Sequence, residues 1–448
     1  MQLKDAIESP CGLRYMLDTL ELQSSTARRW LLDAPLMTTD DEIETSYTIL
    51  RRFDHLISQV DTTYVNTLLF RLQGLKDIRT TIRNLSQHAT LDDIELFEVK
   101  HLALLATSVA ALLQEHGVGE VVEIPDLNTV IDILDPDGMK ISTFYIYDSY
   151  CAELRDLRRL MRKHPEKQDE LLLQASELEE HVREDLSKQL HPFAIALEQA
   201  QLALAQIDVC MAKVRQMRDM RLTFPTISSS QESRYKAMFH PQVKAALAAR
   251  DKEFQPVDMT FGLKPTLITG ANMGGKTVVL KTLTLCQYLF QFGFGIPAGH
   301  AHIAVKKEIR FCIGDEQSVE KGLSSFAAEM KNIDALVKAS RSDNTLLALI
   351  DEPARTTNPT EGAALVTALL QVLNGRNVSL VMTTHYDIEP GNAHCLRVKG
   401  FEEGKMNYAL VEVQDGEVPH EALNIAESLG IDSEWIEKAR SLLLHTKS

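Results

Sequence analysis

The sequence predicts a mainly α-helical part over residues 1–225, an α/β part with a mostly parallel sheet over 235–418, and a helical C-terminal segment over 419–448. Three observations carry this division. Apolar residues recur at helical spacing through most of the first part. Between Leu222 and Ser233 the composition changes, and Pro225 with a run of three serines predicts a loop. Beyond it, short β-rich runs alternate with helical stretches, as in a parallel α/β fold.

One stretch of the first part departs from the helical pattern. β-Rich runs flank Asp135-Pro136-Asp137-Gly138 and predict a small hairpin over 129–147. Pro165 and Pro192 interrupt the last helical stretch and predict a turn and a kink or helix start. The helical patterns themselves lie at Glu42–Val60 and near 64–86, 92–116 and 150–220.

In the second part, four buried-strand patterns set the predicted sheet. They are followed by a tail, 419–445, that predicts two short helices around Gly430. The four strands are Thr266–Thr269, Ile303–Val305, Leu346–Ile350 and Val378–Thr383.

Composition limits the kind of protein this is. With 44% hydrophobic and 25% charged residues among 448, the chain is neither largely disordered nor fibrous. Six scattered cysteines, none at C-x-x-C spacing, argue against a zinc site or a disulfide framework and predict a reducing cytoplasm. The N-terminus does not resemble a signal peptide, and no run of eighteen apolar residues predicts a membrane span.

The charge is unevenly distributed. The chain carries −16 in total, and residues 1–225, with 24 Lys and Arg against 37 Asp and Glu, hold −13 of it. Because nucleic-acid affinity comes largely from neutralising phosphates, the helical part is on average a poor DNA-binding surface, although a local basic stripe stays possible.

The strongest motif is a phosphate-binding loop. The run Gly270-Ala271-Asn272-Met273-Gly274-Gly275-Lys276-Thr277 fits G-x-x-x-x-G-K-[ST] and stands between a predicted strand and a predicted helix, as its chemistry requires. Backbone N–H groups and the helix N-terminus would hold phosphates there. Lys276 would reach the β- and γ-phosphates of ATP, and Thr277 would hold Mg²⁺.

Two later strands end in residues suited to the same chemistry. Asp351, at the end of the strand Leu346–Ile350, is placed to hold Mg²⁺, and Glu352 is placed to orient or deprotonate the attacking water. His385 follows the strand Val378–Thr383 and could sense the γ-phosphate, since ligands of parallel sheets bind at the carboxyl ends of the strands. Ser324 or Ser325 is a suitable N-cap for a helix over 327–339, which by itself is weak evidence for an anion site.

Together these segments resemble the ATPase domain of the MutS family, a branch of the ABC-type P-loop NTPases. The resemblance rests on the phosphate-binding loop and on further matching segments, and it favours the second bacterial MutS branch. It extends more loosely into the N-terminal half, which resembles the family's helical core and lever domain. The segments are Gly314-Asp315-Glu316-Gln317-Ser318, Ser324-Ser325-Phe326, Asp351-Glu352, Glu361-Gly362-Ala363-Ala364-Leu365 and Thr383-Thr384-His385-Tyr386.

The resemblance implies an ATP- and Mg²⁺-dependent ATPase that works as a homodimer, or as a heterodimer with a related subunit. Ser324 and Ser325 would then act on the nucleotide of the partner, and 419–445 would help to hold the two subunits together. Phe254 or His240, in segments that resemble those preceding the family's phosphate-binding loop, would pack on the adenine.

Several departures from the family argue against mismatch reading. The only Phe-x-Glu is Phe401 with Glu403, beyond the ATPase core, and the helical core begins almost at residue 11. The clamp insertion and a C-terminal nuclease module are also expected to be missing. After Asp351-Glu352 the family has a glycine-bearing loop, whereas this chain has Pro353-Ala354-Arg355, which puts the rate of hydrolysis in question. Arg355 would either be solvated or reach across the dimer.

Three hypotheses follow for the biological role. The first is a MutS-type ATPase that serves DNA repair or recombination through a local patch or a partner. The second is a protein-remodelling ATPase, because truncated MutS-like ATPases resembling this chain reactivate adenosylcobalamin-dependent lysine aminomutase. The third is a nucleotide-switched scaffold that binds ATP but scarcely turns it over.

Overall fold

The computed structural model describes residues 1–117, 121–141, 143–164, 168–270, 275–313, 325–402, 405–413 and 432–445. The chain forms two compact units. The helical unit comprises Leu20–Ala34 and Thr48–Arg215, and the sheet unit comprises Met1–Thr19, Pro35–Tyr47 and Gln216–Ser448. The first 47 residues are therefore shared between the two units, in contrast to the single division near residue 225 that composition predicts.

Helices dominate the first 220 residues and alternate with strands after them. A 3₁₀ turn at His191–Phe193 contains Pro192 and separates two long helices, at the predicted interruption. The α-helices are α1 Leu3–Ala6, α2 Leu13–Asp18, α3 Ser25–Asp33, α4 Asp40–Gln59, α5 Thr62–Leu72, α6 Arg79–Ser86, α7 Asp93–Glu115, α8 Asn128–Leu134, α9 Ala152–Lys163, α10 Gln168–Leu190, α11 Ala194–Met220, α12 Pro241–Ala248, α13 Lys276–Gln291, α14 Ser325–Ala339, α15 Pro359–Leu373 and α16 Ser433–His445.

The predicted hairpin over 129–147 is wrong. Residues 128–134 form helix α8, and none of the described residues from 135 to 147 is in a strand. Val130, Ile131 and Leu134 are buried, and their spacing fits one helix face as well as it fits a strand.

A buried ion pair fixes the segment after α8. Lys100 of α7 points its Nζ at Asp135 Oδ1 (3.0 Å), at the Thr143 carbonyl (3.1 Å) and at the Tyr147 hydroxyl (2.9 Å). Both charged side chains are fully buried. Because a buried charge must be paired and hydrogen-bonded, this network orders the irregular segment that the hairpin prediction covered.

Helix α7 is also the one described helix that is long and apolar enough to cross a membrane, by length and composition alone. Half of its most apolar window is buried inside the protein. Core helices pass the same test, and this helix carries the buried Lys100. The finding is therefore weak evidence for a membrane span.

Ten strands are described in the sheet unit. Three of the four predicted strands are found with at most one residue of difference, whereas the strand predicted at Ile303–Val305 lies earlier, at 300–303. The strands are β1 Thr226–Ile227, β2 Ser233–Met238, β3 Val257–Phe261, β4 Thr266–Thr269, β5 His300–Ile303, β6 Glu308–Ile313, β7 Leu346–Asp351, β8 Val378–Thr383, β9 His394–Glu402 and β10 Lys405–Glu412.

The larger sheet has six strands in the order β10-β9-β4-β8-β7-β6. Neighbouring strands from β9 to β6 pair in parallel, and β10 pairs antiparallel with β9. A smaller sheet, β1-β5-β2-β3, combines antiparallel and parallel pairs. Helices α14 and α15 contribute to the core beside β7 and β8, where Leu336, Val366 and Leu373 are almost fully buried. This packing holds the carboxyl ends of β4, β7 and β8 in fixed register.

Of the predicted C-terminal helices, only one falls in the described part of the chain. Helix α16 spans Ser433–His445, and residues 414–431, with Gly430, lie outside the described residues. Pro165 lies outside them as well.

Candidate phosphate-binding site

The predicted site residues come from adjacent parallel strands. Strand β8 pairs with β4 on one side and with β7 on the other. Thr269, Asp351 and Thr383 are the last residues of β4, β7 and β8 and therefore meet at one edge of the sheet. The phosphate-binding loop starts at that edge, since Gly270 follows β4 directly.

Two glycines frame the phosphate-binding loop. Gly270 and Gly275 have φ values of +125° and +74°, which glycine adopts without strain. Gly275 is the N-cap of α13, and a Cβ there would lie 3.2 Å from Tyr408 Cδ1. The predicted phosphate contacts Asn272, Met273 and Gly274 lie outside the described residues. The described flanks thus have the strand–loop–helix order that phosphate binding requires.

Lys276 is buried and paired. Its Nζ lies 3.0 Å from Glu352 Oε1, and only 3% of the lysine side chain and 11% of the glutamate side chain are exposed. The same ammonium donates a short hydrogen bond to the Gly270 carbonyl. The cation proposed for phosphate and the carboxylate proposed as base are therefore in direct contact.

Thr277 and Asp351, the predicted Mg²⁺ ligands, are also brought together. The Thr277 hydroxyl lies 2.7 Å from Asp351 Oδ2. Asp351 Oδ1 accepts a hydrogen bond from the Thr383 hydroxyl at 2.6 Å. Carboxylate and hydroxyl oxygens are the ligands that Mg²⁺ prefers, and Mg²⁺ completes its octahedron with water and phosphate oxygens. The oxygen pair at this position therefore fits that ion.

Glu352 occupies an uncommon backbone conformation. Its φ is +41°, and its N–H donates to the Thr383 hydroxyl at 2.9 Å. Arg355 Nη1 lies 3.6 Å from Glu352 Oε2, but the arginine side chain is 60% exposed. Of the two alternatives for Arg355, a solvated side chain therefore describes this structure, although the guanidinium stays close to the Glu352 carboxylate.

His385 lies at the same edge of the sheet but is exposed. It comes two residues after β8, and its ring packs at a tilt against the ring of Tyr386, with 4.2 Å between the centroids. The preceding residue, Thr384, is anchored by a 3.1 Å bond from its N–H to the Ile268 carbonyl. The role of His385 as a γ-phosphate sensor stays a prediction.

His240 does not have the position that its predicted role requires. It is 2% exposed, and its Nε2 lies 3.1 Å from the Cys11 carbonyl oxygen. Its ring packs so closely on Gly12 that a Cβ there would lie 2.5 Å from Cε1. Burial, together with the nearby charge of Lys281, lowers the pKa of His240 to about 4. A ring enclosed in this way cannot stack on adenine, so this alternative is wrong.

Phe254, the other candidate for adenine, is half-buried in the loop before β3. The next residue, Gln255, bonds to β10 twice: its Nε2 donates to Asn407 Oδ1 (2.8 Å), and its Oε1 accepts from the Tyr408 N–H (3.0 Å). This places the Phe254 loop beside Tyr408 and hence near Gly275. Contact of Phe254 with a base stays a prediction.

The remaining predicted site residues are the two serines. Ser324 lies outside the described residues. Ser325 is the first residue of α14, so the helix begins where the N-cap pattern predicts, within two residues. Their action on a partner's nucleotide stays a prediction.

Sequence reasoning missed four residues at or beside the site. Tyr408 lies against the phosphate-binding loop, and Thr383 joins Asp351 to Glu352. Glu329 and Tyr386 hold the backbone of the loop after Glu352. Tyr408 comes from a β-hairpin without a local motif, whereas Thr383 and Tyr386 stand inside a segment already singled out and could have been found there.

Comparisons with known proteins identify the domain that contains these residues. Residues 266–445 match the description "MutS domain V". The chain is 33% identical over 273 residues to a protein named Endonuclease MutS2 from Lactiplantibacillus plantarum, an alignment that covers 59% of this chain and 34% of that protein. A protein of the same name from Caldicellulosiruptor saccharolyticus is 29% identical over 411 residues, covering 87% of this chain and 48% of that protein.

This chain carries the domain V of the MutS family, and the Caldicellulosiruptor relative matches it well beyond that domain. The resemblance drawn from the motifs is thereby confirmed, and the relatives carry the name of the second bacterial branch. Domain V is the ATPase domain of the MutS family and a P-loop NTPase, so residues 266–445 are that domain. The chain spans less than half the length of these two relatives.

Proposed function

We propose that this MutS-family chain binds ATP with Mg²⁺ and hydrolyses it, and that nucleotide binding switches a dimer between states. The observation that carries the proposal is the contact of Lys276 with Glu352, directly beside the Thr277–Asp351 pair. A cation, a carboxylate base and an oxygen pair for Mg²⁺ are the groups that phosphoryl transfer to water needs. By resemblance, we also assign the domain to the ABC-type ATPases.

The contacts suggest how these residues would act in turn. Lys276 now shares its ammonium between Glu352 and the Gly270 carbonyl. On phosphate binding it exchanges these partners for phosphate oxygens, which frees the Glu352 carboxylate to accept a proton from water. Mg²⁺, when bound, neutralises charge on the phosphates. Asp351 is held in place for it by the hydroxyls of Thr277 and Thr383.

For the base of the nucleotide, we propose Phe254 and Tyr408 as neighbours. Tyr408 lies 3.2 Å from the position of a Gly275 Cβ, and its side chain is partly exposed. An exposed aromatic ring beside a phosphate-binding loop offers a flat apolar surface for stacking. Replacing each by alanine should weaken ATP binding more than it weakens binding of inorganic triphosphate, which has no base.

The experiment that tests the function is an ATPase assay of the full chain, with and without DNA, at about 50 and 200 mM salt, beside Lys276→Ala. Turnover that Lys276→Ala and Glu352→Gln abolish supports an ATPase. A matched exposed change, Glu198→Gln, should leave turnover unchanged. Nucleotide binding without sustained turnover in the unaltered chain would instead identify a nucleotide-switched scaffold.

The client is proposed from the same assay. Stimulation by DNA that fades with salt would support a role in DNA repair or recombination, without mismatch reading. The charge of −13 over residues 1–225 favours a protein client as the second candidate. An inactivated adenosylcobalamin-dependent lysine aminomutase is then the first client to assay for reactivation, in the cytoplasm where we place the chain.

Dimerisation is proposed from the resemblance and from one feature of α16. Trp435 of this helix is 68% exposed, while its neighbour Ile436 is buried. A large exposed aromatic ring is a common anchor of protein interfaces. Light scattering with and without ATP tests the dimer, and Trp435→Ala should shift the chain towards the monomer.

A further inference from the structure

The loop that follows Glu352 contains a second left-handed residue. Ala354 has a φ of +62° and is completely buried. Residues other than glycine seldom adopt this conformation, and they keep it only where their surroundings hold it. Pro353 stands between the left-handed Glu352 and the left-handed Ala354, so the course of the chain here is fixed residue by residue.

Both backbone groups of Ala354 are held by side chains from other elements. Its N–H donates to Glu329 Oε1 of α14 at 3.0 Å. Its carbonyl accepts from the Tyr386 hydroxyl, beyond β8, at 2.6 Å. We call this pair of hydrogen bonds the Ala354 clamp. It joins α14 and the segment after β8 to the residue two positions past Glu352.

Helix α15 has a glycine where the Tyr386 hydroxyl of the clamp packs against it. Gly362 lies so close to Tyr386 that a Cβ would come within 2.2 Å of the tyrosine oxygen. Burial, followed by the charges of Glu329 and Glu352, raises the pKa of Tyr386, which keeps the phenol protonated as a donor. Burial also raises the pKa of Glu329, against the Ala354 bond and Arg355, which lower it.

The clamp acts on the site through the backbone. Thr383 holds the peptide group before Glu352, and the clamp holds the two peptide groups that flank Ala354, so the backbone is anchored on both sides of the Glu352–Pro353 step. The Glu352 side chain faces Lys276 Nζ at 3.0 Å. A left-handed alanine keeps its conformation only when its surroundings hold it. Small displacements of a reacting group carry large rate costs, so this support should matter for the reaction.

We propose that Glu329 and Tyr386 are positioning residues, which hold the Glu352 carboxylate in register with Lys276 by clamping Ala354. The proposal rests on the proposed ATPase function. Neither side chain is assigned contact with the nucleotide. They act on the rate of the chemical step and leave the affinity for ATP largely unchanged.

The test compares three variants of the full chain: Tyr386→Phe, Glu329→Ala and Glu329→Gln. Loss of one hydrogen bond should lower kcat about tenfold in the first two, with KM for ATP within about twofold of the unaltered chain. Glu329→Gln keeps an oxygen acceptor for the Ala354 N–H and should retain most of kcat. Tyr145→Phe and Glu198→Ala, both at exposed positions, serve as controls.

A second readout separates this proposal from the ATPase proposal. Hydrogen exchange of the peptide containing 351–358 should be faster in Tyr386→Phe and Glu329→Ala than in the unaltered chain and in Glu329→Gln. Unchanged exchange overturns the clamp, whether or not the chain hydrolyses ATP. Faster exchange with unchanged kcat, or a raised KM with unchanged kcat, overturns the positioning role. Absence of turnover in the unaltered chain would contradict the ATPase function instead.

Discussion

Lys276 Nζ lies 3.0 Å from Glu352 Oε1, and both side chains are withdrawn from water. Removing one partner of a buried pair leaves the other charge without compensation, which costs more than removing both. We expect Lys276→Met to lower the free energy of unfolding by about 3 kcal/mol, and Lys276→Met with Glu352→Gln to recover most of that loss. Urea denaturation of the two variants and of Glu352→Gln alone measures the coupling. Additive effects would contradict the pairing.

Thr383 connects the predicted metal ligand to the predicted base. Its hydroxyl donates to Asp351 Oδ1 and accepts from the Glu352 N–H. Thr383→Val keeps the shape but removes both bonds, so we expect about 2 kcal/mol lower stability and at least about tenfold slower turnover. Thr383→Ser restores the hydroxyl and should restore both. A valine variant as active as the serine variant would argue against this role.

The buried His240 predicts a pH dependence of stability. Its pKa of about 4 in the folded state lies below the ordinary value of 6.5. At pH values between these two pKa values, His240 is protonated in the unfolded chain but not in the folded chain. The free energy of unfolding therefore decreases as the pH falls through this range. The loss from pH 7.5 to 5 should be about 2 kcal/mol.

His240 is the N-cap of α12, where its side chain accepts from the Val243 N–H. The control for this effect is His240→Asn, which keeps an N-cap acceptor but cannot titrate. The variant should lose less stability than the unaltered chain over the same pH interval. Equal pH dependence of the two proteins would assign the acid sensitivity to other groups.

In the helical unit, the pair Lys100–Asp135 should dominate local stability. Lys100→Met leaves a buried carboxylate without its cation, held by backbone N–H groups such as that of Lys140 at 2.6 Å. We expect a loss of about 3 kcal/mol or more, with fast hydrogen exchange over 135–147. ATP affinity of the folded protein should be unchanged. Lys188→Met, on an exposed lysine, is the matched control and should be nearly neutral.

The sequence was most informative where chemistry and local structure coincide. Glycines, a lysine and a threonine between a strand and a helix predict the phosphate-binding loop, and the described flanks, Thr266–Thr269 and Lys276–Gln291, agree. The strand ending at Asp351 was predicted to within one residue because a continuous apolar run followed by charge has few other structures.

Elsewhere, long-range contacts overrode the local pattern. The β-branched residues of 129–134 favour a strand, but they form a helix whose next residue, Asp135, pairs with Lys100, thirty-five positions away. His240 lies in a segment that resembles the one preceding the family's phosphate-binding loop. In the structure, however, its ring is hydrogen-bonded to the carbonyl of Cys11, 229 positions away. Spacing cannot predict such pairings.

The glycine-free loop after Glu352 could be predicted only in part. The sequence showed that Pro353-Ala354-Arg355 departs from the family. It did not show that Ala354 still takes the left-handed conformation, because Glu329 and Tyr386, which hold it, are distant in sequence.

The close approach of Gly362 to Tyr386 has an evolutionary consequence. A side chain at 362 would displace the Tyr386 phenol from Ala354. Substitutions at 362 and 386 should therefore depend on each other. A lineage with glycine at 354 has no left-handed alanine to support, and selection on 362 and 386 should then be weaker at both positions. Among relatives, substitutions at 354, 362 and 386 should therefore be correlated, with alanine at 354 found together with glycine at 362 and tyrosine at 386.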